Sequence, residues 1–224
     1  ERNLGRLLLE LEEQGIAEET IVVFTSDHGD MLGAQGLQRK QKPWDESIMV
    51  PWVMQWPGEL PAGLRTDTLI NAPDVMPTLL SLMGVEAPDT VQGYDLSRAA
   101  RDQGGTEPTS AYIANPMPFP GDQHDGGAWR GVRTKTHTYV ENEDGPWLLY
   151  DNEADPYQQT NLIDDPDVAR TRKELHEELV AWMTEIGDDG ASKDELVERF
   201  GYEVDERGVV PYYNEVGLHD PDND

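Results

Sequence analysis

Cysteine is absent from this 224-residue chain, and positively charged residues are scarce in it. The lack of cysteine excludes disulfide bonds within the chain. Only 17 residues are Lys or Arg, and five of these are Lys. This shortage argues against nucleic-acid binding, because phosphate contacts need cationic side chains. No apolar run approaches the length of a membrane span, so the sequence predicts no transmembrane segment.

Acidic residues are correspondingly abundant. The chain has 45 Asp and Glu residues, which give it a formal net charge of −28. Such an excess keeps a protein soluble but makes it repel itself, and salt screens this repulsion. A halophilic source explains the imbalance, and an acidic mesophilic protein is the alternative. Hydrophobic residues make up 37% of the chain, which is enough for a core in one domain or one and a half.

The segment Thr20–Gly33 combines a short apolar run with polar side chains. Residues 21–24, Ile-Val-Val-Phe, predict a strand covered on both faces, as in a parallel sheet. Asp27 and His28 follow this strand, at the place where open α/β sheets bind ligands. Their oxygen and nitrogen atoms can bind a divalent cation. The alternative is that Asp27 is an ordinary turn residue or helix cap.

A glycine-rich, cationic loop comes next and is suited to holding an anion. It contains Gly33, Gly36, Arg39, Lys40 and Lys42. A second apolar run at residues 48–54 predicts another strand. The order along the chain is therefore strand, metal-binding loop, cationic loop and strand.

The remaining elements follow from apolar spacing and from turn residues. Leucines at helical spacing predict a helix before the first strand, and further helices are predicted over residues 74–83 and 167–186. Short strands are predicted near residues 131–134, 137–141 and 147–150. Residues 98–128 are rich in Gly, Pro and Asp and predict a loop. The residues after Gly187 are acidic and poor in aliphatic side chains, and the last of them are predicted to be frayed.

Three stretches of the chain carry motifs in a fixed order. The first is Thr25-Ser-Asp-His-Gly-Asp-Met-Leu-Gly33, with Gly36-Leu37, Lys40, Trp44-Asp-Glu-Ser-Ile48 and Val50-Pro51. The second is Asn71-Ala-Pro-Asp-Val-Met-Pro-Thr-Leu-Leu80, with Gly84-Val85, Pro88, Gln92-Gly93 and Leu96. The third is Arg130-Gly-Val-Arg-Thr-Lys135, with Tyr139-Val140, Leu149-Tyr-Asp151, Asp155-Pro156 and Asn161-Leu162. Together they span about residues 1 to 185 and resemble the second half of type I sulfatases, in the alkaline-phosphatase superfamily.

The resemblance implies an α/β fold class. The expected architecture is the C-terminal part of an alkaline-phosphatase-like sandwich, followed by a small subdomain with an antiparallel sheet and a helix. We assign residues 1–110 to the catalytic α/β domain, 111–190 to the subdomain and 191–224 to an acidic tail. The family's formylglycine precursor (Cys or Ser) and its early metal-binding aspartates are expected in a missing N-terminal half.

The resemblance also assigns roles to individual residues. It implies that Asp27 and His28 bind a divalent cation, with Ca²⁺ expected. Histidine is an unusual ligand for a hard cation, so Mg²⁺ or a softer metal stays open. Lys40 matches the lysine that contacts the sulfate oxygens and would stabilise charge developing there. Arg39, Trp44 and His124 are weaker substrate-binding candidates, for which solvated loop or packing roles are the alternatives.

The function implied is that of a sulfuric ester hydrolase acting on an aryl or carbohydrate sulfate ester. It would use a divalent cation and a formylglycine located upstream, so the chain alone is expected to be inactive. One alternative is a phosphodiesterase or phosphonate monoester hydrolase of the same superfamily, since both chemistries transfer a charged tetrahedral group. Another alternative is a non-catalytic fragment or binding remnant of the fold.

Overall fold

The computed structural model describes residues 2–118, 127–206 and 208–210. Within these ranges the α-helices are α1 (Arg2–Glu13), α2 (Asp45–Ile48), α3 (Ala72–Leu82), α4 (Ser97–Ala100), α5 (Ala169–Ile186) and α6 (Lys193–Phe200). The strands are β1 (Val22–Phe24), β2 (Val53–Gln55), β3 (Ser110–Asn115), β4 (Trp129–Thr134), β5 (His137–Asn142) and β6 (Gly145–Asp151). Short 3₁₀ helices are Ala17–Glu19, Ala34–Gly36 and Pro166–Val168. None of the described helices is both long and apolar enough to cross a membrane.

The chain divides into two compact units that interleave along the sequence. The first unit contains the residues up to Asp30 together with Met49–Ala111. The second unit contains Met31–Ile48 and the chain from Tyr112 onward. The cationic loop identified in the sequence is therefore part of the second unit.

The first unit contains the predicted N-terminal helix and the strand after it. β1 pairs with β2 in an antiparallel two-stranded sheet, with Val23 opposite Met54. The expectation of a parallel strand covered on both faces is wrong for the described residues, and Phe24 is 48% exposed. The connection between the strands contains no long crossover helix, which a parallel pair needs. β2 also begins later than predicted because Pro51 cannot donate to a strand ladder.

The first unit also confirms the helix predicted over residues 74–83. α3 begins with a capping box in which the Asn71 N–H donates to Asp74 Oδ2 at 2.7 Å. The Asn71 side chain in turn accepts a hydrogen bond from the backbone N–H of Ala72. The helix ends before Gly84, whose φ of +72° is left-handed. Asp74 is buried and also accepts from the Tyr94 N–H at 2.8 Å, which fixes a later loop against the helix start.

The second unit is built around a four-stranded sheet in the order β3-β4-β5-β6. The pairs β4–β5 and β5–β6 are antiparallel, with Val132 opposite Tyr139 and Tyr139 opposite Leu149. An irregularity interrupts the β5–β6 register between Val140 and Glu141. The three strands predicted near residues 131–150 and the antiparallel sheet are confirmed.

Both faces of this sheet are buried, by different partners. Successive strand residues point to opposite faces, so neighbours such as Tyr139 and Val140 belong to separate cores. One core contains Met31 and Trp44 of the cationic loop with Trp129, Val140, Leu148 and Tyr150. The other contains Leu175 and Leu179 of α5 with Val132, Tyr139, Leu149 and Ile163. The amphipathic helix predicted over residues 167–186 is confirmed as α5, after a 3₁₀ turn.

One prediction about an irregular segment is corrected, and one helix was not predicted. Residues 98–128 were expected to form a loop, but they include β3, a six-residue strand. The acidic stretch after Gly187 includes α6, whose start is a capping box of Ser192 and Glu195. In this box the Ser192 N–H donates to Glu195 Oε2 at 2.8 Å. Local hydrogen bonds therefore order the start of this acidic segment, for which the sequence predicted no helix. The last residues of the chain, which are predicted to be frayed, lie outside the described residues.

Candidate functional site

Asp27 and His28 lie just beyond the carboxyl end of β1, in the first unit. The Asp27 side chain is 83% exposed and the His28 side chain is 39% exposed. His28 Nε2 lies 3.4 Å from Asp27 Oδ2, so the two side chains meet. Neither side chain is enclosed in an apolar core, and both can contact a solvent-borne ion.

Hydrogen bonds fix this short segment locally. The His28 backbone N–H donates to Asp27 Oδ1 at 3.1 Å, and the Ser26 hydroxyl donates to the His28 carbonyl at 2.8 Å. His28 Nδ1 lies 2.6 Å from the Gly29 carbonyl oxygen, which can only accept. Nδ1 therefore carries the hydrogen, and a neutral ring has its lone pair on Nε2, the atom beside Asp27.

The ionisation state of Asp27 suits a metal ligand. Desolvation acts to raise the pKa of its carboxyl, but the His28 ring, backbone N–H groups and the Ser26 hydroxyl lower this pKa below its ordinary value. A lowered pKa favours the carboxylate form, which a cation requires. The pair supplies one oxygen and one nitrogen. Among the described residues, no group of three or more His, Asp or Glu gathers into a metal-binding cluster. The residues present therefore fit part of a divalent cation site.

Lys40 lies in the cationic loop of the second unit and is half-buried. Within the described part of the chain, it makes no hydrogen bond or ion pair. Lys42, two residues later, is buried, with 3% of the residue exposed. Arg39 is exposed, and its φ of +65° is in the left-handed region.

Trp44 lies inside the core that joins the loop to the sheet, with 7% of the residue exposed. Its indole N–H donates to the Tyr150 hydroxyl at 3.1 Å, and its ring packs edge-on against Trp147 at 5.6 Å. This is the packing alternative considered for Trp44 from the sequence. His124 lies outside the described residues.

A polar network around buried Gln158, which the sequence did not predict, anchors the end of the loop. Arg133 on β4 forms two hydrogen bonds of 3.0 Å to the two oxygens of Asp45. Gln158 accepts from the Asp45 N–H at 2.9 Å and donates to Asn152 Oδ1 at 2.9 Å. Gln35 donates to the carbonyl oxygens of Tyr157 and Gln158. Arg133 belongs to a recognised motif, but Gln158 carries no local sequence signal of burial.

A model of one protein family matches residues 33–185 of the chain, which is about two thirds of it. The family is described as N-sulphoglucosamine sulphohydrolase, C-terminal. The chain belongs to the sulfatase family. The match covers the cationic loop, α3 and the four-stranded sheet with α5.

Individual relatives agree with the family match. The sulfatase chain is 36% identical over 214 residues to an ulvan-active sulfatase of Formosa agariphila, covering 94% of this chain and 42% of the relative. A solved structure described as BT4656 in complex with its substrate D-glucosamine-2-N,6-O-disulfate has 30% identity and a TM-score of 0.77. That alignment covers 84% of this chain and 39% of the other. The structural likeness confirms the predicted alkaline-phosphatase-like fold class.

A second solved structure is that of an enzyme with a different activity. The phosphonate monoester hydrolase of Agrobacterium radiobacter has 27% identity and a TM-score of 0.69, over 80% of this chain and 38% of the other. The sulfatase chain thus spans about two fifths of the length of the relatives that it matches.

Proposed function

We propose that the chain is the C-terminal portion of a sulfuric ester hydrolase. The observation that carries this proposal is the family match over residues 33–185. The formylglycine nucleophile and the remaining metal ligands would be supplied by an N-terminal portion. On this view the chain contributes two ligands of the divalent metal, the ammonium group of Lys40 for the sulfate, and the subdomain that holds the Lys40 loop.

Asp27 and His28 would hold the divalent cation through Asp27 oxygen and His28 Nε2, with Ca²⁺ expected and Mg²⁺ as the alternative. A bound divalent cation supplies positive charge that stabilises an attacking oxygen and polarises the ester. The Gly29 carbonyl keeps Nδ1 as the donor of the ring, so that Nε2 stays available as a ligand. The role of these two residues is supported by their approach to 3.4 Å and by the hydrogen bonds that fix the segment.

Lys40 would donate hydrogen bonds to the sulfate oxygens. As the S–O bond breaks, negative charge grows on the ester oxygen, which leaves with the alcohol, while the transferred sulfonate group keeps its charged oxygens; a fixed ammonium stabilises this charge. The half-buried position of Lys40 strengthens this effect, because charges interact more strongly away from bulk water. Arg39 would assist by attracting the anion, through the charge that it adds beside Lys40.

The substrate class we propose is a sulfated carbohydrate. The relative with 36% identity is named for its activity on ulvan, and the structure with 30% identity holds a sulfated glucosamine. An aryl sulfate is then a useful chromogenic test substrate rather than the natural one. A phosphonate monoester is the second candidate substrate, favoured by the likeness to the Agrobacterium enzyme.

The test uses the longer polypeptide in which this chain follows its own upstream sequence. We expect turnover of a sulfated monosaccharide, and little turnover of a phosphonate monoester at the same concentration. Lys40→Ala should lower kcat by about two orders of magnitude, since one charge contact to the transition state is lost. Lys173→Ala is the matched control, because Lys173 lies on α5 and pairs only with exposed Glu177 among the described residues.

Three outcomes would count against the proposal. Preferential turnover of the phosphonate would favour the second candidate, a phosphonate monoester hydrolase, over a sulfatase. The absence of all turnover, with the upstream sequence present, would favour a non-catalytic member of the fold. Equal kcat values for Lys40→Ala and Lys173→Ala would show that Lys40 takes no part in the reaction.

A further inference from the structure

The backbone on both sides of Lys40 adopts a conformation that side chains other than glycine rarely take. Arg39 has φ +65° and Gln41 has φ +68°, both in the left-handed region. Such conformations cost free energy and persist only where the surroundings hold them. On one side of Lys40, the Arg39 carbonyl accepts a hydrogen bond of 2.9 Å from the Met31 N–H, which closes the loop upon itself.

On the other side of Lys40, two sheet residues hold the carbonyl of Gln41. The indole N–H of Trp129 donates to this oxygen at 3.2 Å, and the side-chain amide of Asn115 donates to it at 3.3 Å. Trp129 begins β4 and is 3% exposed, whereas Asn115 ends β3. Two donors use both acceptor positions of one carbonyl, so the orientation of this peptide is fixed by the sheet.

We propose that Trp129 and Asn115 are positioning residues that fix the Lys40 ammonium for the sulfate group. The inference rests on the proposed function of Lys40. A lysine side chain has four rotatable bonds and ordinarily samples many positions. The Arg39 carbonyl belongs to the peptide that joins Arg39 to Lys40, and the Gln41 carbonyl belongs to the peptide one residue beyond Lys40, so these hydrogen bonds restrict the backbone that flanks Lys40. Electrostatic stabilisation depends on such preorganisation, because a charge that must move into place contributes less.

Trp129 also belongs to the hydrophobic core, so its packing must be separated from its hydrogen bond. Trp129→Phe removes the indole donor and keeps an aromatic ring, and Asn115→Leu removes the amide with a side chain of similar shape. Tyr150→Phe is the matched control. Tyr150 lies in the same core, and its hydroxyl accepts a hydrogen bond from the indole N–H of Trp44.

Each variant is made in the longer enzyme that turns over substrate, and again in that enzyme carrying Lys40→Ala. We expect Trp129→Phe and Asn115→Leu each to lower kcat about tenfold, as small misplacements of catalytic groups do. KM and the melting temperature should change no more than they do in Tyr150→Phe. In the Lys40→Ala background, neither variant should lower kcat further, because both act through Lys40.

The outcomes separate this inference from the proposed function. If Lys40→Ala lowers kcat but Trp129→Phe and Asn115→Leu behave like Tyr150→Phe, the positioning role is wrong and the function of Lys40 stands. A loss of kcat that persists at full size in the Lys40→Ala background would also overturn the positioning role. If Lys40→Ala itself leaves kcat unchanged, both claims fail together. Should Trp129→Phe fold poorly, Asn115→Leu decides the result.

Discussion

Gly93 is a residue whose lack of a side chain allows two parts of the first unit to touch. A Cβ at this position would lie 2.0 Å from the Pro73 carbonyl oxygen and 2.7 Å from the Asp74 backbone nitrogen. We expect Gly93→Ala to lower the free energy of unfolding by about 1–3 kcal/mol, because the backbone at the start of α3 must move. Urea unfolding followed by circular dichroism measures this change.

Gly5→Ala is the control for this substitution. Gly5 lies in α1, and an ideal Cβ there has no neighbour within 4 Å. Alanine should therefore raise the free energy of unfolding by about 0.5–1 kcal/mol, since glycine is the poorer helix former. Equal urea midpoints for Gly93→Ala and the parent chain would contradict the close approach.

Asp188 is a residue whose charge ties the end of α5 to the sheet. Arg130 Nε lies 2.9 Å from Asp188 Oδ2, and the Tyr112 hydroxyl donates to the same carboxylate at 2.7 Å. Burial acts to raise the pKa of Asp188, but the hydrogen bonds from Arg130 and Tyr112 outweigh it, so the folded pKa is below the ordinary value. The stabilising contribution is therefore present above the unfolded pKa of about 3.9 and is lost as pH falls through the lower, folded pKa.

We expect Asp188→Asn to reduce the free energy of unfolding at pH 7 by about 2 kcal/mol, the value of a charged hydrogen bond. The difference from the parent should hold down to about pH 5 and narrow below about pH 4. Denaturant titrations at a series of pH values measure it. Asp189→Asn is the control, since the Asp189–Arg199 pair is exposed and should contribute little. A difference that does not change with pH would show that the charge of Asp188 is unimportant.

Among the elements, the loop 31–48 depends on Gln158, which is 1% exposed. We expect Gln158→Leu to lower the free energy of unfolding by about 1–3 kcal/mol, because the Asp45 N–H loses its acceptor. Hydrogen exchange should speed up at Met31 and Gly33, whose N–H groups bond to carbonyls within this loop. The neighbouring, exposed Gln159 provides the control variant Gln159→Leu. Unchanged exchange in the loop of Gln158→Leu would contradict the anchoring role.

At this scale, regular periodicity explains which elements were predictable. α1, α3 and α5 repeat their apolar residues at helical spacing, and strands β5 and β6 contain short runs of aromatic and aliphatic residues. The sequence predicts each of these elements, and β4 as well. β3 was missed because it lies within a stretch rich in Gly, Pro and Asp, although it is as long as β4 and β5. α6 was missed because acidic composition outweighed its Ser192–Glu195 capping signal. Pairing direction in the first unit depends on distant segments, which local patterns do not encode.

The contacts of the candidate site also divide into those that local sequence predicts and those that it does not. Adjacent residues such as Asp27 and His28 could be linked from the sequence, because their spacing already brings them together. The contact between Arg133 and Asp45 joins residues 88 positions apart and has no local signature. The Gln41 carbonyl is a backbone group, so no residue type reveals that Trp129 and Asn115 bind it. The metal and substrate roles stay predictions.

For the molecule as a whole, the dominant quantity is the net charge of −28. We expect the melting temperature to rise by about 5 °C or more when NaCl is raised from about 0.05 M to about 1 M, because screening relieves repulsion between carboxylates. Differential scanning calorimetry measures the shift. KCl at equal ionic strength should act alike if screening is the cause. A melting temperature that is constant or falls with salt would contradict this expectation, and a halophilic source with it.

The interleaving of the two units along the chain affects how related genes can recombine. The chain leaves the first unit after Asp30, returns to it at Met49 and leaves it again at Tyr112. A single recombination event near residue 111 between two related genes therefore joins the loop 31–48 of one parent to the sheet of the other. Such a hybrid keeps the Arg133–Asp45 hydrogen bonds only where both parents have compatible residues at positions 45 and 133. We therefore expect these two positions to change together, or not at all, as the lineage diverges.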